Sequence, residues 1–320
     1  MRKKISMDGG NQDVSITEVF QRFMQEKQAM NVSEATIRYY NKCFQYFTRF
    51  FGENKSCTEL NENVGIDYIL SLRKMNPNIS DITINNYLRG LRAILYYFME
   101  KGFCQSFKVS MVRAEKKLKE TYTDDELEKL LKKPDIKKTS FSDYRNWVMT
   151  CYLIGTGNRA STVRNLKIGD IDFSSHEIRL KRVKNHKQYI IPLSHTLEKI
   201  LIEYLQYRKG KEDDYLFCSQ YGEQITYDGL STIVSKYNLS RGVSKTSIHL
   251  FRHTFAKRWI LNKGDMFRLQ KILGHSTLDI VKEYVNMYGD DLQRDFDTYN
   301  PLDNFDFMKE KSKLKMGSQG

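Results

Sequence analysis

Between Ile248 and Val285 the chain reads I-H-L-F-R-H-T-F-A, then L-G-H-S, then E-Y-V. His249, Arg252, His253, His275 and Tyr284 are all groups able to act on a phosphate. An arginine clamps its oxygens, an imidazole donates hydrogen bonds or carries protons, and a phenol is a nucleophile. His249 and Arg252 stand three residues apart, so on a helix they share a face and their side chains can converge. Taken singly these residues mean little: a lone histidine is more often structural, and a tyrosine on an amphipathic helix ordinarily packs.

Two further cations lie upstream. Arg159 follows Gly155-Thr156-Gly157-Asn158, where the glycines permit a tight turn that presents a side chain at an exposed end. Lys184 lies in the polar stretch Val183-Lys184-Asn185-His186-Lys187. That stretch joins two alternating runs, Glu177 to Lys181 and Gln188 to Leu193, which read as short paired strands. At such exposed positions an arginine or lysine is ordinarily only solvated.

Together these stretches resemble the tyrosine site-specific recombinases, the phage integrase and Xer-like family. The family pattern is H-x-x-R-H, a spacer, L-G-H, and a tyrosine nine residues after that histidine, met here by His275 and Tyr284. A five-residue pattern recurs by chance, but the three parts in register form a specific signal. The family's T-G-x-R-x-S-E aligns with Thr156 to Thr162 and places Arg159. Two departures occur: Asn158 stands where leucine is usual, and Thr162 where glutamate is common, so no role is carried over for that glutamate. Counting back from Ile191-Pro192-Leu193 places the family's hairpin lysine at Lys184, with Lys181 the alternative because hairpin registers slip.

The resemblance implies a catalytic set of Arg159, Lys184, His249, Arg252, His275 and Tyr284. Tyr284 would attack a DNA phosphodiester in line and form a covalent 3′-phosphotyrosine. A phenol pKa of about 10 makes proton removal or strong local positive charge necessary near neutrality. Arg159 and Arg252 would stabilise the charge gathering on the phosphate, Lys184 would protonate the departing 5′ oxygen, and His249 and His275 would hold the phosphate or relay protons. The covalent linkage conserves bond energy, so rejoining needs neither metal nor ATP. No cofactor is expected: the chain carries no G-x-x-x-x-G-K-[ST] loop and no clustered carboxylates of the magnesium-holding kind. Two other readings stay open, a type IB topoisomerase-like enzyme that relaxes DNA and a catalytically silent DNA-binding regulator on the same scaffold.

These residues need elements to position them. At 320 residues the chain is long enough for about two domains. Residues 1–12 read as a flexible arm. Over 13–104 helical periodicity recurs: Val19, Phe20, Phe23 and Met24 share one face, Ile37, Tyr40, Phe44 and Phe47 a second, and Ile84, Leu88, Leu91, Leu95 and Phe98 another. Ser33 is a plausible N-cap, a shorter helix is predicted between Asn61 and Met75, Pro77 breaks it, and Ser80 or Asp81 can cap the next. The resemblance extends here, since Ser33, Thr36, Ile37 and Tyr40 fit the S-x-x-T-I-x-x-Y that opens a helical core-binding, SAM-like domain. Arg38, Lys42, Arg89 and Arg92 point away from the apolar faces and are candidate DNA contacts.

Residues 105–121 read as a basic linker. A capping box at Thr123 and Glu126 opens a mixed α+β catalytic domain over 122–298. The expected fold class is therefore mostly α with a small β-sheet. A helix is predicted from Ser247 to Leu261, ended by Gly264. From Arg241 to Lys271 there are eight Lys or Arg and one acid, Asp265, and Lys187, Arg241 and Lys245 join the candidate DNA contacts. Residues 299–320 form a tail with acidic and apolar positions interspersed. The resemblance implies docking on a neighbouring protomer, against an equal reading in which the tail folds back on its own domain.

Formal net charge is +13 and the pI about 9.3, an excess that suits a polyanion. Five cysteines, odd in number and without C-x-x-C spacing, argue against a disulfide framework or a zinc site, and no metal ligands are expected. Met1-Arg2-Lys3-Lys4 is followed by Asp8-Gly9-Gly10-Asn11 rather than by an apolar stretch, and no run approaches a membrane span. A cytoplasmic, nucleoid-associated bacterial protein is expected. Its partners would be a double-stranded recombination site and three further copies in a tetramer, with accessory DNA-bending proteins as an open requirement.

Overall fold

The computed structural model describes residues 14–115, 120–181, 188–274 and Lys282, without the side chains of Lys181 and Gln188. The expected arm over 1–12 and tail over 299–320 lie outside the described residues. The chain divides into two compact units, Met1–Lys117 and Leu118–Gly320.

Among the described residues of the first unit four α-helices form: α1 (Ile16–Ala29), α2 (Glu34–Phe51), α3 (Val64–Met75) and α4 (Asp81–Glu100). Local chemistry sets three of the starts. Ser15, Ser33 and Ser80 each sit in extended backbone and accept a backbone N–H from the first turn. The apolar stripes then meet in one core, where Phe20 stacks on Phe44 with ring centroids 3.8 Å apart and Phe47 meets Tyr68 edge-on. Arg89 and Arg92 stay on the exposed face of α4, as their phase predicts.

The expected linker over 105–121 begins later than its charge pattern suggests. Val109 is buried in the first core, and Phe107, Met111 and Val112 pack against it. The buried Asn85 side chain donates to the Val112 carbonyl at 2.8 Å and accepts its N–H at 2.9 Å, pairing both backbone groups at once. Lysines and arginines interleaved with apolar residues disguised this stretch, which has no helical period to betray its burial.

The second unit is mostly helical around a small sheet. Its described residues include the helices α5 (Asp124–Leu131), α6 (Phe141–Thr156), α7 (Ala160–Asn165), α8 (His195–Arg208), α9 (Tyr227–Ser240), α10 (His249–Leu261) and α11 (Met266–Leu273). Three antiparallel strands, β1 (Ile171–Asp172), β2 (Glu177–Lys181) and β3 (Gln188–Pro192), lie in sequence order. The hairpin register pairs Glu177 with Pro192 and Lys181 with Gln188. Helix α6 is the hub: it packs against α5, α8, α9 and α10, and Trp147 to Leu153 are buried without a break. A helix apolar on every side has to be central.

The start of this unit is tied across the fold. Thr123 and Glu126 form the predicted capping box on α5. The Tyr122 N–H donates to Thr254 Oγ1 on α10, and Asn238 of α9 donates to the Tyr122 hydroxyl. Helix α10 ends at Leu261, but its reversal falls on Lys263, at φ 60°, rather than on the predicted Gly264. Gly264 serves close approach instead, because a Cβ there would lie 2.3 Å from Trp259 Nε1. All five cysteines are free and buried, and no helix among the described residues is long and apolar enough to cross a membrane.

Asn85→Ala is expected to cost about 1–3 kcal/mol, since it strands both polar groups of Val112. Urea denaturation of the full chain measures the loss, and hydrogen exchange at the Val112 amide should rise with it. Unchanged protection there would mean that residues 105–112 are held by something other than this side chain.

Candidate active site

Helix α6 ends at Gly157, in the left-handed conformation at φ 62°, with its N–H returned to the Leu153 carbonyl. A Cβ at this position would come within 2.7 Å of Phe255 and 2.9 Å of Leu273. Glycine is therefore needed twice here, for its φ and for its lack of a side chain. Two residues on, Arg159 is the N-cap of α7 and is exposed. Between them Asn158 is buried, with its Nδ2 donating to the Tyr152 hydroxyl at 2.8 Å. The amide in place of the family's leucine thus anchors the turn to α6 by a hydrogen bond.

Helix α10 carries His249 in its first turn and Arg252 in its second. His249 is exposed, whereas Arg252 is only 6% exposed. A buried guanidinium needs partners. Arg252 donates through Nη1 to the Gly157 carbonyl at 3.0 Å and through Nη2 to the Leu273 carbonyl at 2.8 Å. Arg159 donates to that same Leu273 carbonyl, from Nη1 at 3.3 Å. The two predicted arginines, 93 residues apart in sequence, meet on one backbone oxygen.

That oxygen is the last of α11. Ala256, Leu269 and Leu273 are buried together, with Phe255, Trp259 and Ile260 packed against them, and this small core holds α11 to α10. Gly274 then caps α11 in the left-handed conformation. The Tyr189 ring, from β3, lies against Gly274: a Cβ built there would meet its Cζ at 3.3 Å. Strand β3 thereby reaches the residue before His275.

Of the six predicted catalytic residues, Arg159, His249 and Arg252 are among the described residues. Lys184, Lys187, His275 and Tyr284 lie outside the described residues, and of Lys181 only the backbone, at the end of β2, is placed. Sequence reasoning named Gly157 for its turn but not as the carbonyl that accepts from Arg252, and it missed Leu273 as the carbonyl that accepts from both arginines, Tyr152 as the anchor of Asn158, and Tyr189 as the contact from β3. The L-G of L-G-H was the available signal for Leu273. Tyr189, in an alternating strand, offered none.

Among the other predicted contacts, Arg38, Lys42, Arg89 and Arg92 are exposed, Arg38 in an open i,i+4 pair with Glu34. Arg89 and Arg92 line a surface groove of about 490 Å³ with Asn85, Tyr96 and Met111, and the Arg92 guanidinium lies 5.3 Å from the Tyr96 ring. Arg241 stacks on Tyr237 at 5.2 Å. Lys245 departs from expectation. Its ammonium bonds Glu126 at 2.8 Å and the Thr121 carbonyl at 2.9 Å, so its charge is matched inside the unit. Burial opposes ionisation of Glu126, but Lys245 and the Thr123 N–H outweigh it and hold this carboxyl below the ordinary range.

The buried tyrosines of the second unit, Tyr122, Tyr144, Tyr152, Tyr204 and Tyr237, are all pushed upward by burial. That is the wrong direction for a nucleophile.

Residues 120–289 match the model of the phage integrase family. The chain is 26% identical over 282 residues to the tyrosine recombinase XerA of Pyrococcus horikoshii, covering 86% of this chain and 91% of that protein. To the tyrosine recombinase XerD of Staphylococcus haemolyticus it is 23% identical over 297 residues, covering 90% and 99%. Among solved structures, the Tn1549 transposon integrase in complex with a circular intermediate DNA shares the fold, with a TM-score of 0.67 at 20% identity, covering 86% of this chain and 95% of that one. A lambda integrase dimer bound to a COC′ core site does so with a TM-score of 0.66 at 14% identity, covering 83% and 97%. These relatives favour neither the topoisomerase nor the silent-regulator reading. The chain belongs to the phage integrase family, the tyrosine site-specific recombinases, enzymes that cleave and rejoin DNA.

Proposed function

We propose that the chain recombines specific DNA sites of a mobile element by way of a covalent 3′-phosphotyrosine on Tyr284, without metal or ATP. The observation that carries this reading is the meeting of Arg159 and Arg252 on the Leu273 carbonyl, two residues before His275. Two guanidinium groups that converge on one carbonyl oxygen gather positive charge that an anion would complement, and their planar forks match phosphate oxygens. As Tyr284 attacks, negative charge grows on the non-bridging oxygens, and both arginines strengthen their hold in the transition state. Lys184 gives a proton to the leaving 5′ oxygen, while His249 and His275 donate to the phosphate or relay the phenol's proton. Reversal of the same step by a new 5′ hydroxyl rejoins the strand.

DNA would be held on phosphate contacts from Arg38, Lys42, Arg89 and Arg92 in the first unit and from Lys187 and Arg241 in the second, in keeping with the net charge of +13. Recombination exchanges strands between two duplexes with four half-sites, which calls for a homo-tetramer. Residues 299–320 would dock on a neighbouring protomer within it. The setting is cytoplasmic, on the nucleoid, with accessory DNA-bending proteins where the duplex has to be shaped.

Incubated with a pool of nicked duplexes, the full chain should yield a protein–DNA adduct on a denaturing gel, and Tyr284→Phe should abolish it. An adduct persisting in that variant would assign the nucleophile elsewhere. For the lysine, a 5′-thio leaving group needs little protonation, so it should restore cleavage to Lys184→Ala; without rescue the role passes to Lys181 or another donor.

The arginines should separate by burial. Arg159→Lys is expected to slow cleavage about 10²–10³-fold while changing stability by no more than about 0.5 kcal/mol. Arg252→Lys should lose comparable activity and also about 1–3 kcal/mol, because a buried ammonium lacks the planar fork that reaches the Gly157 and Leu273 carbonyls together. Adduct kinetics and urea unfolding report the two quantities independently, and equal stability losses would refute the difference in burial.

A further inference from the structure

At the opposite end of β2 from residues 182–187, three side chains converge that the reaction above does not use. His176 ends the turn leading from β1 into β2, while His195 opens α8 and Glu198 stands one turn further along it. His176 Nδ1 lies 3.0 Å from Glu198 Oε2, and His195 Nδ1 lies 3.7 Å from the same oxygen. One ligand atom from each residue falls within 4.8 Å of the others. We propose that His176, His195 and Glu198 form a binding site for a transition-metal dication of the Zn²⁺ class, at the base of the β2–β3 hairpin.

The spacing agrees with coordination. Zinc bonds of 2.0–2.1 Å to nitrogen and oxygen set neighbouring ligands of a tetrahedron about 3.3 Å apart. The observed separations, 3.0 and 3.7 Å, bracket that edge. The i,i+3 spacing on α8 brings His195 to Glu198, and the turn before β2 brings a second imidazole to the same oxygen from another element. The two rings cross at 75° with centroids 5.7 Å apart, so they converge without stacking.

The ligands are also held in place. His195 and Glu198 form H-x-x-E on α8, which puts both on one helix face. His176 is fixed by backbone: its φ of 53° is unusual for a residue with a side chain, and its carbonyl accepts the Leu193 N–H at 2.8 Å. The turn before it is tied by Asp172, which accepts from the N–H groups of Ser174 and Ser175. The Glu198 side chain is 13% exposed, whereas that of His195 is 87% exposed, so the carboxylate forms the floor and the open side faces solvent.

The donor set selects the ion. Two imidazoles and one carboxylate suit Zn²⁺, Co²⁺ or Ni²⁺ rather than the all-oxygen preference of Mg²⁺ or Ca²⁺. Three protein ligands leave one position for water. The site joins the hairpin base to α8, so occupancy braces the strand that leads toward Lys184.

The test uses the untagged full chain and Co²⁺, whose visible absorption intensifies on tetrahedral binding, followed by competition with Zn²⁺. One Co²⁺ per chain is expected, displaced by Zn²⁺, with Zn²⁺ at one hundredfold excess over Kd raising Tm by about 5 °C or more. His195→Ala and Glu198→Gln should each weaken binding at least about tenfold. At position 176 an asparagine tolerates the left-handed backbone, so His176→Asn should keep the metal-free Tm and still lose the ion. The proposal is overturned by the lack of saturable Co²⁺ binding in the parent chain. It is equally overturned by undiminished binding in His176→Asn/His195→Ala, which would move the ion to another histidine.

Discussion

The Leu273 carbonyl holds the second unit's chemistry together. It accepts from Arg252, which is buried, and from Arg159, which is exposed, and so fixes both guanidinium groups relative to α11. A charge buried without partners is costly, and the Gly157 and Leu273 carbonyls help Arg252 to sit where it does. Each of those carbonyls belongs to a helix end, where main-chain oxygens lack helical partners. The fold has thus spent the unsatisfied ends of α6 and α11 on positioning two cations.

Packing enforces the same meeting. Gly157, Phe255 and Leu273 approach so closely that one added carbon would collide with two side chains. The small core of Ala256, Leu269 and Leu273 locks α11 onto α10, and α10 packs on the central helix α6. Arg159, Arg252 and the chain leading to His275 are therefore placed by one rigid junction rather than by three independent loops. Such a junction is the kind of preorganised charge that the proposed reaction calls for, since it would need no reorganisation as a transition state forms.

Charge alone proved a coarse guide to the surface. Lys245 lies in a strongly basic stretch, yet its ammonium is consumed by Glu126 and the Thr121 carbonyl at the entrance to the second unit. Because the Glu126 carboxyl is held low, the stability this pair contributes is present above the ordinary carboxylate range and fades as pH falls through the lowered value. Arg89 and Arg92 keep their exposure because the phase of α4 turns them away from its stripe of Ile84, Leu88 and Leu91. A lysine's count in a window is thus no measure of its availability. The acid that Lys245 meets, Glu126, lies more than a hundred residues away in sequence.

Local physics determined much of this protein in one dimension. The stripes of α1, α2 and α4, the serine caps, the capping box at Thr123 and the alternation of β2 and β3 are all short-range effects, and each appears where the residues say. Arg159, His249 and Arg252 were legible as candidates because their motifs are contiguous. Tertiary structure alone decided that two of them share an oxygen, that Val109 is core rather than linker, and that Gly264 yields to Trp259 rather than turning the chain. It alone brought His176 to Glu198, across 22 residues with no spacing that names a ligand set. Periodicity records which face of an element is buried, but a meeting of distant side chains depends on how those faces pack, and that leaves no trace in neighbouring residues.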